Sequence, residues 1–418
     1  MGSSWSLRRL LRVAALVGVA AVLVGVPLAA SANPDIDGFE LDGNAAGGGA
    51  NDWDALGSPL HFTGVIEDGT DDSDSGYHTG GSKDNNDISQ WDWENGTVTP
   101  AKNNIVDAYA SVYAEDGNLI LYFGQNRLLD REGDANVGFW FLQNEVGLND
   151  DGTFSGAHAE GDVLVQSEFT NGGDVSGIRI GKWTGGGLTF LANGAAECAD
   201  GKLGTKDACA IVNGGDISTS WAGTITAPYF FEGGLNLTAL FGQQTPCFST
   251  FLTNTRTSQS TDARLKDFAA GSIDTCASIK ITKQATPSDG TQFGYSTTGG
   301  LNPGSFSLAS GGSQSYGKLQ PGQYSVTENA APAGWALDSL SCPTATGPGT
   351  SAQINGATAS ITLGFVGHVE CTYVNKRQPQ VKVVKDLEPA TDLGTFDLRI
   401  NGTTHADPNP ESHETLQT

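Results

Sequence analysis

Short runs of aromatic and β-branched residues, separated by Gly, Asn and Asp turns, recur along the first two thirds of the chain. Such runs predict strands. They cover residues 108–113, 119–123, 137–142, 162–169, 175–183 and 188–191. Many short strands with tight turns are typical of a β-sandwich, of which the jelly roll is one form. The pattern predicts one helix, Thr261–Phe268, which Ser260 or Thr261 would cap.

Farther along, residues 324–335 read Tyr-Ser-Val-Thr-Glu-Asn-Ala-Ala-Pro-Ala-Gly-Trp. Side chains alternate between the two faces of a strand, so Tyr324, Val326 and Glu328 share an apolar face. A buried carboxylate is costly unless it is protonated or paired. The sequence therefore predicts a partner for Glu328 in the same core.

Two other strands offer such a partner. The strand beginning at Ile279 places Lys283 on its apolar face, and the strand beginning at Cys371 places Asn375 on its own. The alternation predicts that Lys283, Glu328 and Asn375 meet in one core.

These residues resemble the SpaA-type, or collagen-adhesin B-type, prealbumin-like domain of bacterial surface proteins. The resemblance rests on the lysine late in a first strand, the 324–335 box and the asparagine in a last strand. It implies that Lys283 attacks Asn375, that Glu328 shuttles protons and that an isopeptide bond forms with loss of ammonia. The alternative is a domain that keeps the box as a fold signature, with the Lys283 ammonium in solvent and its stem packed on the core.

The start of the chain has the three parts of a secretory signal peptide. Arg8, Arg9 and Arg12 precede an apolar run at 13–28, and Ala-Ser-Ala at 30–32 fits a cleavage site. We expect export and a mature chain that begins near residue 33. The apolar run is short for a membrane-spanning helix, which makes an anchor the weaker interpretation.

The net charge of the chain limits the kinds of molecule that it is expected to bind. Removing the three leader arginines from the 22 basic residues leaves 19 against 47 acidic ones, a net charge of −28. A surface this acidic argues against nucleic acid and suits a soluble exported protein or one that meets cations. The length favours more than one domain. We divide the chain at 33–277, 278–377 and 378–418.

The first of these domains opens with Phe-Glu-Leu-Asp-Gly-Asn at 39–44, followed by a tryptophan segment at 51–56. This opening resembles that of a family of exported actinobacterial proteins. In that family the opening leads into prealbumin-like repeats. The resemblance implies an extracellular or cell-surface location and no particular chemistry.

Six cysteines in an exported chain predict disulfides, for which fifteen pairings exist. Their spacing favours sequence neighbours. The expected pairs are Cys198 with Cys209, Cys247 with Cys276, and Cys342 with Cys371. Metal binding is the poorer alternative, since the chain has no C-x-x-C pair and no histidine at ligand spacing.

An acidic run at 67–74 is the candidate metal site. Asp68, Asp71, Asp72 and Asp74 supply carboxylate oxygens of the kind that Ca²⁺ prefers, although the spacing differs from an EF-hand. The alternative is a solvated acidic turn. No other cofactor is indicated.

The region after residue 378 repeats the opening of the domain before it. Val381, Val383 and Lys385 align with Ile279, Ile281 and Lys283. We expect a second, truncated prealbumin-like unit in which Lys385 has no partner, and any anchor would lie outside this sequence.

Two classes of function fit these features. The first is a structural or adhesin-like surface protein that carries its N-terminal domain on prealbumin-like stalk units and binds a glycan or a host or matrix protein. The alternative is a secreted carbohydrate-binding or carbohydrate-active module in which those units are spacers. Its sugar-stacking candidates are Trp91, Trp93, Trp140 and Trp183, although the Phe-Trp-Phe alternation at 139–141 favours core packing. No motif indicates an enzyme beyond the autocatalytic cross-link.

Overall fold

The structure is a computed structural model and is nearly all β. It describes residues 38–46, 51–71, 74–78, 80–96, 100–128, 135–169, 175–194, 198, 201–204, 206–242, 245–379, 381–383, 398–400, 403–405 and 415–417. The predicted leader at 1–32 lies outside these residues. Within them, no helix is both long and apolar enough to cross a membrane.

The N-terminal region consists of short and medium strands. In chain order they are β1 (His61–Phe62), β2 (Ile66–Glu67), β3 (Ser75–Tyr77), β4 (Trp93–Asn95), β5 (Ile105–Glu115), β6 (Asn118–Arg127), β7 (Ala135–Leu142), β8 (Gly147–Leu148), β9 (Phe154–Ser155), β10 (Val163–Phe169), β11 (Val175–Trp183), β12 (Leu188–Gly194), β13 (Ala208–Val212), β14 (Ile217–Thr219), β15 (Gly223–Ile225), β16 (Phe230–Asn236), β17 (Thr250–Arg256) and β18 (Leu265–Ser272). All six strands predicted in this region are confirmed.

Two antiparallel sheets form a sandwich from these strands. One has the order β1-β5-β6-β16-β13, with β2 also paired to β5. The other has the order β12-β11-β10-β7-β17-β18-β3-β4. Their facing sides share one core, in which Phe123 and Phe231 of the first sheet meet Phe139 of the second. The predicted β-sandwich is therefore confirmed.

Both outer faces of the sandwich are covered as well. Phe39 and Leu41 of the opening segment, with Trp53, pack on the tyrosines of β5 and β6. On the other side, Trp91 and neighbouring residues cover Trp140 of β7. Aromatic residues on both faces of a strand are thus buried, which is why β7 reads Phe-Trp-Phe.

The predicted helix at Thr261–Phe268 is wrong. Ser260 accepts hydrogen bonds from the backbone N–H groups of Asp262 and Ala263 in a turn, and the chain then enters β18. A helix this short is marginal without tertiary support, and pairing with β17 competes with it. The α-helix of this region is α1 (Leu237–Phe241), capped by Asn236.

A second sandwich follows after a short connection. Its strands are β19 (Ala277–Thr286), β20 (Phe293–Thr298), β21 (Ser305–Leu308), β22 (Ser313–Leu319), β23 (Gly322–Glu328), β24 (Trp335–Thr346), β25 (Ser351–Asn355), β26 (Thr358–Leu363) and β27 (His368–Arg377). They form a four-stranded sheet, β22-β19-β27-β24, and a five-stranded sheet, β21-β20-β23-β26-β25. One apolar core lies between the two sheets.

The strands that begin and end this domain are neighbours. β19 and β27 run parallel, with Lys283 opposite Tyr373 and Ala285 opposite Asn375. The other ladders of the two sheets are antiparallel. The parallel pair places the late residues of both strands at the same end of the sandwich.

Beyond residue 377 the structure describes two short antiparallel pairs. They are β28 (Val381–Val383) with β31 (Thr415–Gln417), and β29 (Leu398–Ile400) with β30 (Thr403–His405). Lys385 lies outside the described residues.

Candidate functional site

Lys283 lies in the core of the second sandwich because of the alternation of β19. Ile279, Ile281 and Lys283 all face inward, and the lysine is 0% exposed. Its ammonium group lies 4.0 Å from the centre of the Phe293 ring. The inward position expected from the sequence is therefore what the structure has.

Glu328 and Asn375 reach the same point from opposite sheets. Glu328 ends β23 and is 4% exposed, and Asn375 lies on β27 and is fully buried. Lys283 Nζ donates to Glu328 Oε2 at 2.9 Å and to Asn375 Oδ1. Asn375 Nδ2 donates to Glu328 Oε1 at 2.7 Å. The carboxylate therefore bridges the amine and the carboxamide.

Two tyrosines complete the site, and the sequence analysis did not identify either of them as part of it. Tyr295 donates its hydroxyl to Glu328 Oε2 at 3.2 Å, and Tyr373 donates to the carbonyl of Val326 at 2.6 Å. The signal for Tyr295 was present, because Phe293 and Tyr295 alternate on β20 as inward residues do. Which strand lies across from Glu328 could not be read from that alternation.

Burial shifts the pKa values of Lys283 and Tyr295 in this site. It lowers the pKa of Lys283 below its ordinary value, against the opposing effect of the Glu328 hydrogen bond and charge. Burial, with the Glu328 charge, raises the pKa of Tyr295, so this hydroxyl stays a proton donor. A lowered pKa increases the fraction of lysine that carries the neutral amine, the form that acts as a nucleophile.

The arrangement has the parts that amide exchange requires. The nucleophile nitrogen and the leaving nitrogen each contact a different oxygen of one carboxyl group. Glu328 can therefore accept the proton that the amine loses and, once its carboxyl group has turned, deliver that proton to the departing nitrogen. Because the side chains are fixed in contact, proximity replaces an external catalyst.

The structure contains all three disulfides expected from the spacing: Cys198–Cys209, Cys247–Cys276 and Cys342–Cys371. The third joins β24 to β27, the strand that carries Asn375. It closes 29 residues, a loop worth about 3.5 kcal/mol in the chain-entropy model.

The fold separates the aspartates of the acidic run at 67–74 into clustered and exposed ones. Asp68 and Asp74 come together with Asp267 of β18, which the sequence analysis missed. Asp71 is exposed, and Asp72 lies outside the described residues. Asp267 is far from the run in sequence, and only the pairing of β18 with β3 brings it near.

The tryptophans considered for sugar stacking are mostly buried. Trp91 and Trp140 are fully buried and Trp183 is 5% exposed. Trp93 is partly buried, with its Nε1 directed at backbone carbonyls of Asn149 and Thr153. Core packing, the interpretation that the alternation favoured, describes the first three.

Comparison with known protein families gives a match for the second sandwich. Residues 279–377 match the family described as a prealbumin-like fold domain, the SpaA-like domain that the sequence resembled. No match to a curated protein sequence was found.

Solved structures also show similarity. A Mobiluncus mulieris adhesin with intramolecular disulfide, isopeptide and ester cross-links has a TM-score of 0.24 and 13% identity, covering 66% of this chain and all of that one. The pilus 2b backbone protein of group B streptococcus has a TM-score of 0.23 and 14% identity, covering 64% and 98%. A minor pilin of Streptococcus agalactiae has a TM-score of 0.18 and 9% identity, covering 60% and 87%.

Proposed function

From a prealbumin-like domain at residues 279–377, we propose that the protein is an exported, surface-exposed structural protein of adhesin type. Its N-terminal sandwich is presented on a prealbumin-like unit that an isopeptide bond between Lys283 and Asn375 closes. The observation that carries this proposal is the buried contact of Lys283, Glu328 and Asn375. The N-terminal sandwich is the part that meets an extracellular ligand, such as a glycan or a matrix protein.

The chemistry balances within the site. The neutral amine of Lys283 attacks Cγ of Asn375, and Glu328 accepts the proton that the amine loses. The bond from Cγ to Nδ2 then breaks, and Glu328 returns the proton to the leaving nitrogen. The products are a secondary amide and ammonia, and the carboxyl group ends in its initial state.

The position of the bond suits a stalk under tension. Force along the chain enters the domain through β19 and leaves through β27, which are parallel neighbours. Hydrogen bonds of the parallel pair alone would be loaded in shear. A covalent link between Lys283 and Asn375, 92 residues apart in sequence, carries the force directly from one strand to the other. The intervening residues then cannot be pulled out.

The disulfides also hold the chain against extension under force. Cys342–Cys371 fastens β24 to β27, and Cys247–Cys276 closes the last segment before β19. Disulfides persist in an oxidising environment, which agrees with an extracellular location. A rigid, cross-linked unit without an assigned enzymatic site fits a structural role.

Accurate mass measurement of the full chain tests the cross-link. After reduction of the disulfides, the wild type is expected to weigh less than its sequence by one ammonia. The matched control is Glu328→Ala, which keeps Lys283 and Asn375 and is expected to show the unlinked mass. Fragmentation of a digest then identifies a branched peptide that joins β19 to β27.

A reduced wild-type chain with the mass of its sequence would overturn the isopeptide bond. A branched peptide in both wild type and Glu328→Ala would instead overturn the role of Glu328. Surface presentation is tested separately, by N-terminal sequencing of the exported protein and protease accessibility on intact cells.

A further inference from the structure

Three carboxylates meet at one edge of the N-terminal sandwich. Asp68 follows β2, Asp74 precedes β3 and Asp267 lies on β18. One oxygen of each lies within 4.8 Å of an oxygen of the other two. Asp74 is 1% exposed and Asp267 is fully buried. Like charges this close and this far from water require compensation.

The cluster joins the two sheets of the sandwich. β2 belongs to the first sheet through its pairing with β5, and β3 belongs to the second through β18. Gly69, after β2, and Asp74, before β3, lie close together, since a Cβ at Gly69 would lie 2.9 Å from the Cα of Asp74. The loop thus brings Asp68 and Asp74 together against Asp267.

Several oxygens at this point have no hydrogen-bond donor among the described residues. They include Oδ2 of Asp68 and Oδ1 of the buried Asp74. The fully buried Asn104 donates its Nδ2 to Asp74 at 2.9 Å, and its own Oδ1 also accepts no hydrogen bond. Buried polar atoms are normally satisfied, so an unfilled set of oxygens on acid and amide groups points to a missing positive partner.

Two other buried carboxylates of this region accept hydrogen bonds on both oxygens: Asp84 from Arg256 and Trp140, and Glu232 from Trp53 and the backbone of Gly43. Asp267 accepts backbone hydrogen bonds from Ile105 and Phe268, whereas Asp68 and Asp74 each keep one oxygen without a donor among the described residues. No lysine, arginine or histidine among the described residues forms an ion pair with Asp68, Asp74 or Asp267. The charged neighbours of Asp68 and Asp267 are carboxylates of the same cluster together with Asp107, and the charged neighbour of Asp74 is Asp71.

We propose that Asp68, Asp74 and Asp267 bind one Ca²⁺ ion that links the two sheets of the N-terminal sandwich, with Asn104 holding Asp74 in place through its Nδ2. The donor atoms are all oxygens, the ligands of a hard cation. Three carboxylates leave positions for water or for second carboxylate oxygens in the larger shell of Ca²⁺. Mg²⁺ demands a stricter octahedron and gives up water reluctantly, so it binds more weakly.

Calorimetric titration with CaCl2 tests this site in the full chain after treatment with EDTA. One ion per chain is expected, with a Kd of about 10⁻⁶ to 10⁻³ M, and MgCl2 serves as the comparison. The decisive variants are Asp74→Asn and Asp267→Asn, each of which removes one charge and keeps the shape of the side chain. Each is expected to weaken Ca²⁺ binding about tenfold or more.

Asp71→Asn is the matched control, because it removes a carboxylate of the same loop that lies outside the cluster. We expect it to retain binding. The rise in melting temperature between EDTA and Ca²⁺ gives a second readout, expected in wild type and Asp71→Asn and reduced in the other two variants. This readout requires no variant to match the stability of the wild type.

Three results would overturn the proposal. The first is a wild-type chain that neither takes up Ca²⁺ nor gains melting temperature. The second is undiminished Ca²⁺ binding in both Asp74→Asn and Asp267→Asn, which would locate the ion elsewhere. The third is a loss of binding only in Asp71→Asn, which would assign the ion to the exposed part of the acidic run.

Discussion

The two sandwiches treat buried carboxylates in opposite ways. In the second, Glu328 contacts an amine, a carboxamide and a phenol, each from a different strand. In the first, oxygens of Asp68, Asp74 and Asp267 lie within 4.8 Å of one another, and no side-chain cation of the described residues pairs with them. The Glu328 site is completed by side chains of the chain itself, and in our proposal the aspartate site is completed by a calcium ion.

This difference has a functional meaning for the exported protein that we propose. The Lys283, Glu328 and Asn375 site needs no group from outside the chain. The proposed bond can therefore form once and then persist in any medium. A site that needs a cation responds to the calcium concentration in which the protein works. On this view the stalk unit is fixed, whereas the stability of the presented domain depends on its medium.

The largest effects are expected at Lys283 and Glu328, which we first replace as a unit with Lys283→Met and Glu328→Leu together. An apolar pair of similar size is often neutral or stabilising in place of a simple buried ion pair. Loss of a covalent bond that closes 92 residues costs about 4.6 kcal/mol in the chain-entropy model. Asn375, left buried without these two partners, adds about 1–3 kcal/mol, so only a decrease in the free energy of unfolding of the second sandwich that clearly exceeds this amount indicates the bond. Guanidinium unfolding followed by hydrogen exchange in β23 and β27 measures it.

Glu328→Leu alone is the control for this comparison. It leaves Lys283 buried without its carboxylate, which costs about 3–5 kcal/mol in addition to the lost bond. A double variant as stable as the wild type would contradict the covalent link and leave only an ion pair.

The next effect concerns the disulfide on the same strand. Replacing Cys342 and Cys371 by alanine is expected to lower the free energy of unfolding of the second sandwich by about 3.5 kcal/mol, because a constraint on 29 residues of the unfolded chain is lost. The same replacement at Cys198 and Cys209, which close a loop of 11, should affect the first sandwich only. An equal loss in the second sandwich from both replacements would mean that the two sandwiches unfold as one unit.

Sequence alone predicted that Lys283, Glu328 and Asn375 meet in one core, because alternation fixes the face of each strand, whereas their roles in a cross-link came from the family resemblance. Lys283, Glu328 and Asn375 could each be assigned to an inward face without knowing the sheet order. Tyr295 was missed because its neighbour across the core depends on which strands are adjacent. The same limit explains Asp267, which joins the acidic cluster only through the pairing of β18 with β3.

One local sequence signal led to a wrong prediction, the helix at Thr261–Phe268. Ser260 to Asp262 reads as a helix cap, and in the structure the same hydrogen bond closes a turn before β18. A side-chain oxygen that accepts a backbone N–H suits either outcome. The choice between them came from β17, which pairs with β18 and buries Leu265 and Phe268. Such an effect is tertiary and leaves little trace in the segment itself.

A smaller effect is expected from pH on the first sandwich. Burial, followed by the charge of Asp74, raises the pKa of Asp68 from 3.8 to about 8. Between these values the folded chain holds a proton that the unfolded chain releases, so stability falls as the pH rises through this window. Each pH unit is worth at most ~1.4 kcal/mol per proton, and solvent contact at Asp68 reduces the total to about 2 kcal/mol.

Melting temperatures measured in EDTA from pH 4 to pH 8 check this expectation. They should fall as the pH rises, and Ca²⁺ should remove most of the fall, since the ion replaces the proton at the carboxylates. The control is Asp68→Asn, which cannot take up the proton and should give a flatter profile in EDTA. A rising melting temperature over this range in the wild type would show that the carboxylates are ionised and compensated without a cation.

The smallest effect tests whether the loop between the sheets shapes the cation site. Gly69→Ala keeps every carboxylate and adds one methyl group, whose carbon would lie 2.9 Å from the Cα of Asp74. Backbone must shift to make room, which moves Asp74 away from Asp267, and we expect Ca²⁺ affinity to fall about three- to tenfold. Gly215→Ala, where an added methyl group meets nothing within 4 Å, is the matched control and should bind as the wild type does. Calorimetric titration of both variants decides the matter. Equal affinities would mean that the loop yields without disturbing the ligands, so that the sheets and not the loop set the geometry of the site.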